Sequence, residues 1–195
     1  MADVKGLIVE EDLVAQEFDL EEILGVDLSQ DETLAAEIGQ DVVEFIAKRS
    51  NDGKGIGGKK LKSPYSKAYT KTTEFEVAGK SPKDINMRLT GEMISSIDVL
   101  DFDGQVLTVG IEGDQAPKAH GHMTGKNGEV PAMKREFFGL TEKEFKDITD
   151  KYSDRIDQLR PAPTRVEDLV TPQENSQVNS LFNNLGDLFS FEENQ

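Results

Sequence analysis

Apolar positions along this chain follow two periods, and the change between them separates helices from strands. Leu34, Ile38, Val42, Phe45 and Ile46 fall on one face of a helix at about 3.6 residues per turn, and Asn51-Asp52-Gly53 supplies its stop. Ser29-Gln30-Asp31-Glu32 before it has the form of a capping box, with the serine oxygen accepting from a free amide. A second such box, Thr141-Glu142-Lys143-Glu144, opens a helix with Phe145, Ile148, Tyr152, Ile156 and Leu159 on one side, ended by Pro161. Between them the period falls to two: Leu107, Val109 and Ile111 alternate after Asp103-Gly104, and Val99 precedes it. Asp103-Gly104 predicts a type I′ hairpin turn, in which both central residues need positive φ. Asn127-Gly128 marks another turn, after which Val130 to Met133 returns as an edge strand that tolerates Pro131. Ser63-Pro64 predicts a short helix to about Thr70, and Thr90 caps one that turns Ile94 and Ile97 toward the core.

These elements predict an α+β fold over 30–160, an antiparallel β-sheet flanked by amphipathic helices, with N- and C-terminal extensions. Residues 1–29 carry Leu7, Ile8, Leu13, Val14, Phe18, Leu20, Ile23 and Leu24 among acids without one clean period, the character of an acidic arm that orders on a partner. Residues 161–195 read as a polar linker followed by a docking segment. There Leu181, Phe182, Leu185, Leu188 and Phe189 have the spacing of an amphipathic helix entering a groove. A chain of 195 residues suits one core with extensions.

Charge sharpens this division. Residues 1–33 hold 11 acids and 1 base, whereas residues 48–88 hold 11 bases and 4 acids, within a chain of net charge −16. An acidic stretch and a basic stretch on one chain suggest subunits meeting through opposite charges. Cysteine is absent, which excludes disulfides, thiolate metal sites and a cysteine nucleophile. No apolar run approaches a membrane span and no basic region leads into an apolar one, so the chain is expected to be made and used in the cytoplasm, with no membrane partner.

Two motifs invite a chemical reading. Gly53 to Lys59 has the glycine and lysine spacing of a phosphate-binding loop, but Lys60 stands where a hydroxyl should hold magnesium. The stretch also follows an amphipathic helix instead of a buried strand, so a mobile basic loop is expected, with Lys59, Lys60 and Lys62 as candidate assembly contacts. His120 and His122 would share one side if extended, with Asp114 as a third ligand, but a turn satisfying its own backbone is the simpler expectation. No carboxylate pair has the apolar surroundings that general-acid work needs. We therefore expect no catalytic residue, no metal and no cofactor.

Leu89-Thr90-Gly91, the hairpin, Ala119-His120-Gly121, Pro131-Ala132 and Phe137-Phe138-Gly139-Leu140 follow one another in an order that resembles the phage virion-morphogenesis, or tail-completion, family, over about residues 34–150. Met133-Lys134-Arg135-Glu136 stands where that family has a shorter link. The resemblance implies a non-enzymatic structural subunit of the neck, at the head-tail junction of a virion assembled in the host cytoplasm. As a tail completion or tail terminator protein it would close a ring with copies of itself, and the resemblance implies six of them. It would touch the connector and tail-tube proteins and let double-stranded DNA pass without sequence-specific binding. An acidic wall fits such a conduit because it repels phosphates. The alternatives are a nucleic-acid-binding protein using the basic 48–88 region, and a metal- or nucleotide-dependent enzyme.

Overall fold

Period-two alternation on both sides of Gly104 builds half of a sheet whose other half comes from the N-terminal stretch. The computed structural model describes residues 4–29, 31–61, 65–82, 85–87, 91–127, 130–131 and 133–160. In it β1 (Leu7–Val9), β2 (Leu13–Asp19), β3 (Asp98–Phe102) and β4 (Val106–Glu112) pair antiparallel in the order β1-β2-β4-β3. The acidic arm expected over 1–29 is therefore corrected: β2 is a central strand. Val14, Gln16 and Phe18 lie opposite Ile111, Val109 and Leu107 on the core-facing side, and Val14 and Phe18 are buried. Without them one side of the β4 row would be open to water. The expected α+β class, with its antiparallel sheet and helices, is what the chain adopts.

The hairpin closes one residue later than its sequence suggests. Asp103 donates its amide to the Val106 carbonyl at 3.3 Å, which makes Gly104 and Gln105 the central pair. Only Gly104 takes positive φ, at 102°, so the turn is of the kind with glycine at its first central position and not type I′. Asp103 instead accepts from the Gln105 and Val106 amides at 2.9 and 2.7 Å.

Seven helices accompany the sheet among the described residues: α1 (Leu20–Leu24), α2 (Glu32–Asn51), α3 (Thr73–Val77), α4 (Glu92–Ser95), α5 (Ala116–Thr124), α6 (Glu142–Thr149) and α7 (Ser153–Leu159). The α2 cap is Asp31 and not Ser29: Asp31 Oδ1 accepts from the Leu34 amide at 3.1 Å. Leu34, Ala35, Ile38, Val42 and Ile46 line its buried face. Gly39 lets α2 lie close on the sheet, since a Cβ there would meet Val99 Cγ2 at 2.6 Å. The Thr141 capping box opens α6 as expected, and Phe145 stacks on Phe18 with ring centroids 4.6 Å apart. A 3₁₀ turn, Asp150–Tyr152, separates α6 from α7, and Arg155 of α7 grips Asp31 through Nε at 2.9 Å and Nη2 at 2.6 Å.

Three further expectations are corrected. Ala119-His120-Gly121-His122 is not a turn but part of α5, which Pro117 helps to start and Gly125 ends at φ 75°. Val130–Pro131 (β6) pairs with Lys126–Asn127 (β5) in a separate two-stranded ribbon and is not an edge of the main sheet. Tyr65 and Ser66 are not helical; that region forms a 3₁₀ turn at Tyr69–Lys71 and then α3. Ser63, Pro64 and Thr90 lie outside the described residues, and Gly91 stands at the α4 cap with φ 97°.

The two sheet faces differ. The core lies on the side of Val14, Phe18, Leu107, Val109 and Ile111, joined by α2, α5, α6 and Phe137, Phe138 and Leu140. Ile8, Leu13, Ala15, Leu100 and Val106 are absent from that core cluster. Pleating puts Ile8, Ala15 and Gly110, which pair across neighbouring strands, on the opposite face. Leu100, the extra residue of a bulge between Val99 and Asp101, reaches within 2.8 Å of where a Gly110 Cβ would stand.

Candidate assembly surface

The glycine-rich stretch after α2 is a tight, hydrogen-bonded hairpin and not the mobile loop expected. Lys54 and Lys60 form a bridge, Gly55 donates to the Lys59 carbonyl at 2.7 Å, and Leu61 donates to Gly53 at 2.9 Å. A phosphate-binding loop works by aiming free amides at its ligand; here those amides are already committed. Ile56 donates to the Glu136 carbonyl at 2.9 Å and Gly58 to Gly55 at 3.0 Å, while Gly57 donates to Glu144 Oε2 at 3.1 Å. A phosphate would meet the Glu144 carboxylate in that place. Gly55 matters for close approach, since a Cβ there would stand 2.3 Å from the Glu136 carbonyl oxygen.

Glu144 links this hairpin to the interior. It completes the Thr141 capping box and accepts from Arg49 Nη1 at 2.8 Å. Arg49 is 5 % exposed, and its Nη2 donates to the Phe137 and Gly139 carbonyls at 2.8 and 2.7 Å. Burial pushes the Arg49 guanidinium below its usual range, and the Glu144 charge and hydrogen bond oppose that. For Glu144 burial favours the neutral acid, but the Thr141 amide, Arg49 and the Gly57 amide together outweigh it, so its pKa is lowered. On the other side of the segment Gln16 donates to the Leu140 carbonyl at 3.1 Å and accepts from the Leu140 amide at 2.7 Å. Phe137, Phe138, Gly139 and Leu140 are thus held from both sides by buried polar groups. Sequence reasoning missed Gln16 and Arg49, whose only signal was a polar residue on an otherwise apolar face.

The histidines are not brought together as metal ligands. Two residues apart on α5, they point to different sides of the helix. His122 Nδ1 lies 3.4 Å from Arg135 Nη1. Burial and then the Arg135 charge push its pKa down to about 4. Arg135 in turn lies over the Tyr65 ring at 5.2 Å, and Tyr65, Tyr69 and Phe75 form an aromatic triangle with centroids 5.2 to 5.4 Å apart. Among the described residues no group of three or more His, Cys, Asp or Glu is placed to hold a metal ion. A depression bounded by Lys5, Thr141, Glu142 and Lys143 lies beside the α6 cap.

Lys59 and Lys60 are exposed, as are Lys48 and Lys54. Lys62 and the candidate contacts Leu181, Phe182, Leu185, Leu188 and Phe189 lie outside the described residues, with the whole of 161–195. Of the motif positions, Leu89, Thr90 and Ala132 lie outside them too. Ala119, Phe137, Phe138 and Leu140 are core residues. A Cβ on Gly121 would come within 2.9 Å of the Lys126 carbonyl oxygen, and Gly139 has φ 109°. These motif residues therefore hold the framework together. Among the described residues no helix is long and apolar enough to cross a membrane. No protein-family model, curated protein or solved structure matches the chain.

Proposed function

We propose that this chain is a structural ring subunit of a phage neck, acting at the head-tail junction as a tail completion or tail terminator protein. One observation supports the reading most: the residues that carry the resemblance are spent on packing. Phe137, Phe138 and Leu140 fill the core and Ala119 backs it, while the glycine hairpin has its amides occupied internally. What remains outward is mainly charge, on a hydrogen-bonded frame, which suits a part whose work is geometric. Copies would join through two different patches, the kind of contact that closes a ring when the rotation permits. DNA would pass through the centre, and the net charge of −16 would keep its phosphates from sticking. The protein would reside in the virion neck after assembly in the host cytoplasm.

A second reading has its own support. Lys48, Lys54, Lys59 and Lys60 are exposed, and a nucleic-acid-binding protein would use such a basic edge. Duplex binding that weakens steeply with salt would favour it. The neck reading is tested by removing the gene product during particle assembly. Filled heads and unattached tails should accumulate; normal joined particles would refute it.

A further inference from the structure

We propose that the sheet face turned away from the core is the seat for the lysine hairpin of a second copy of this chain. This rests on the ring-subunit reading and assigns its contact. The face has an apolar centre: Ala15 is buried, with Ile8 opposite it on β1, Leu13 two residues along β2 and Leu100 reaching in over Gly110, all three only half-buried and outside the core cluster. Its rim is acidic. Glu17, Asp101 and Glu112 are exposed on β2, β3 and β4, and none of them has an ion-pair partner among the described residues.

The proposed occupant carries the opposite character. Lys54 and Lys60 face each other across the hairpin bridge, with Lys59 beside them. All three are exposed and without an ion-pair partner among the described residues. Like charges set directly opposite are unfavourable in an isolated pair of strands, and an acidic partner removes that penalty. The hydrogen bonds of the hairpin hold these lysines on a fixed frame, which lowers the ordering cost of contact. Lysine also suits an apolar centre with an acidic rim, because its methylene stem lies along apolar surface while the ammonium reaches outward to a carboxylate. Seat and occupant are different patches of one chain, so the contact is head to tail and leaves each copy with one of each to offer. Two copies of net charge −16 repel at long range, so this contact rests on the local complementarity of the lysine hairpin and the acidic rim.

The test uses the full chain and two double variants, Lys59→Glu with Lys60→Glu, and Glu17→Lys with Asp101→Lys, each checked for an unchanged thermal transition. Self-association is measured by sedimentation at low salt. Each variant alone should associate about tenfold or more weakly than the parent, and mixing the two should restore a complex containing both. Carbodiimide cross-links joining the hairpin lysines to Glu17 or Asp101 would add direct support. Association that neither variant weakens would overturn this contact while leaving the ring reading intact. A parent chain that stays monomeric at its highest soluble concentration would overturn the contact as well. So would lysine variants that lose salt-sensitive duplex binding while self-association is unchanged, a result that would also favour the nucleic-acid reading.

Discussion

Replacing Arg49 with Met removes the guanidinium while keeping most of the side-chain volume, which isolates the polar node at the end of α2. Arg49 is 5 % exposed. Its loss strands the Phe137 and Gly139 carbonyls, which it reaches at 2.8 and 2.7 Å. It also leaves Glu144 without the partner it holds at 2.8 Å. A stranded buried acceptor costs about 1–3 kcal/mol, and breaking a buried ion pair from one side costs about 3–5 kcal/mol. These overlap, so the expected loss is about 3–5 kcal/mol, a large share of the roughly 5–15 kcal/mol that holds a domain folded. Glu144→Gln also removes one charge of the pair, but it keeps an amide oxygen able to accept from Arg49 and to complete the capping box, and it leaves both carbonyl bonds in place, so it should cost less, about 1–3 kcal/mol. In the double variant neither unpaired charge remains, and the two losses should fall short of additivity by about 1–3 kcal/mol. Urea unfolding followed by circular dichroism reads these differences directly. A loss below about 1 kcal/mol for Arg49→Met, or strict additivity in the double variant, would show that Arg49 does not hold this segment and Glu144 together.

The glycine hairpin offers a paired control: Gly55→Ala forces a Cβ to 2.3 Å from the Glu136 carbonyl oxygen, whereas Gly58→Ala meets no atom within 4 Å and strains only its φ of 69°. Thermal melts should show Gly55→Ala as clearly the worse of the two, and equal effects would contradict the docking of the hairpin on that carbonyl. A pH series tests His122. Its pKa falls from 6.5 to about 4 on folding, so the unfolded chain takes up the proton first. Stability should therefore be intact above pH 6.5, decline as pH drops toward 4, and lose up to about 3 kcal/mol through this group. In His122→Gln that part of the decline should vanish, and a variant with the parent's slope between those pH values would sink the assignment. Val109→Asp should unfold the domain, because it buries a carboxylate at a position with 0 % exposure; a variant melting near the parent temperature would contradict the placement of Val109.

The elements that sequence periodicity exposed are those whose inward positions are uniformly apolar. The buried face of α2 and the Leu107-Val109-Ile111 row of β4 are examples. β2 stayed hidden because its central inward residue is Gln16. That position is filled by an amide satisfied by the Leu140 backbone, and a contact 124 residues away leaves no local trace. α5 stayed hidden for a different reason: its buried residues are Ala116, Ala119 and Met123, too small and too few to mark a helical stripe, and Gly121 speaks against a helix. Turn chemistry alone sets the turn one residue early because Asp103 favours a turn equally well from the flanking position, through its side chain. Lys59 and Lys60 could be named from sequence, but their fixed display could not. It depends on Glu136 and Glu144, residues brought to the hairpin only by the fold.

We propose a ring of copies of this chain at the junction between head and tail. Imaging of assembled particles with a density label fused to the chain tests this most directly. A closed ring of label confined to the neck is the expected result. Label absent from particles, or spread along the tail or over the capsid, would contradict it.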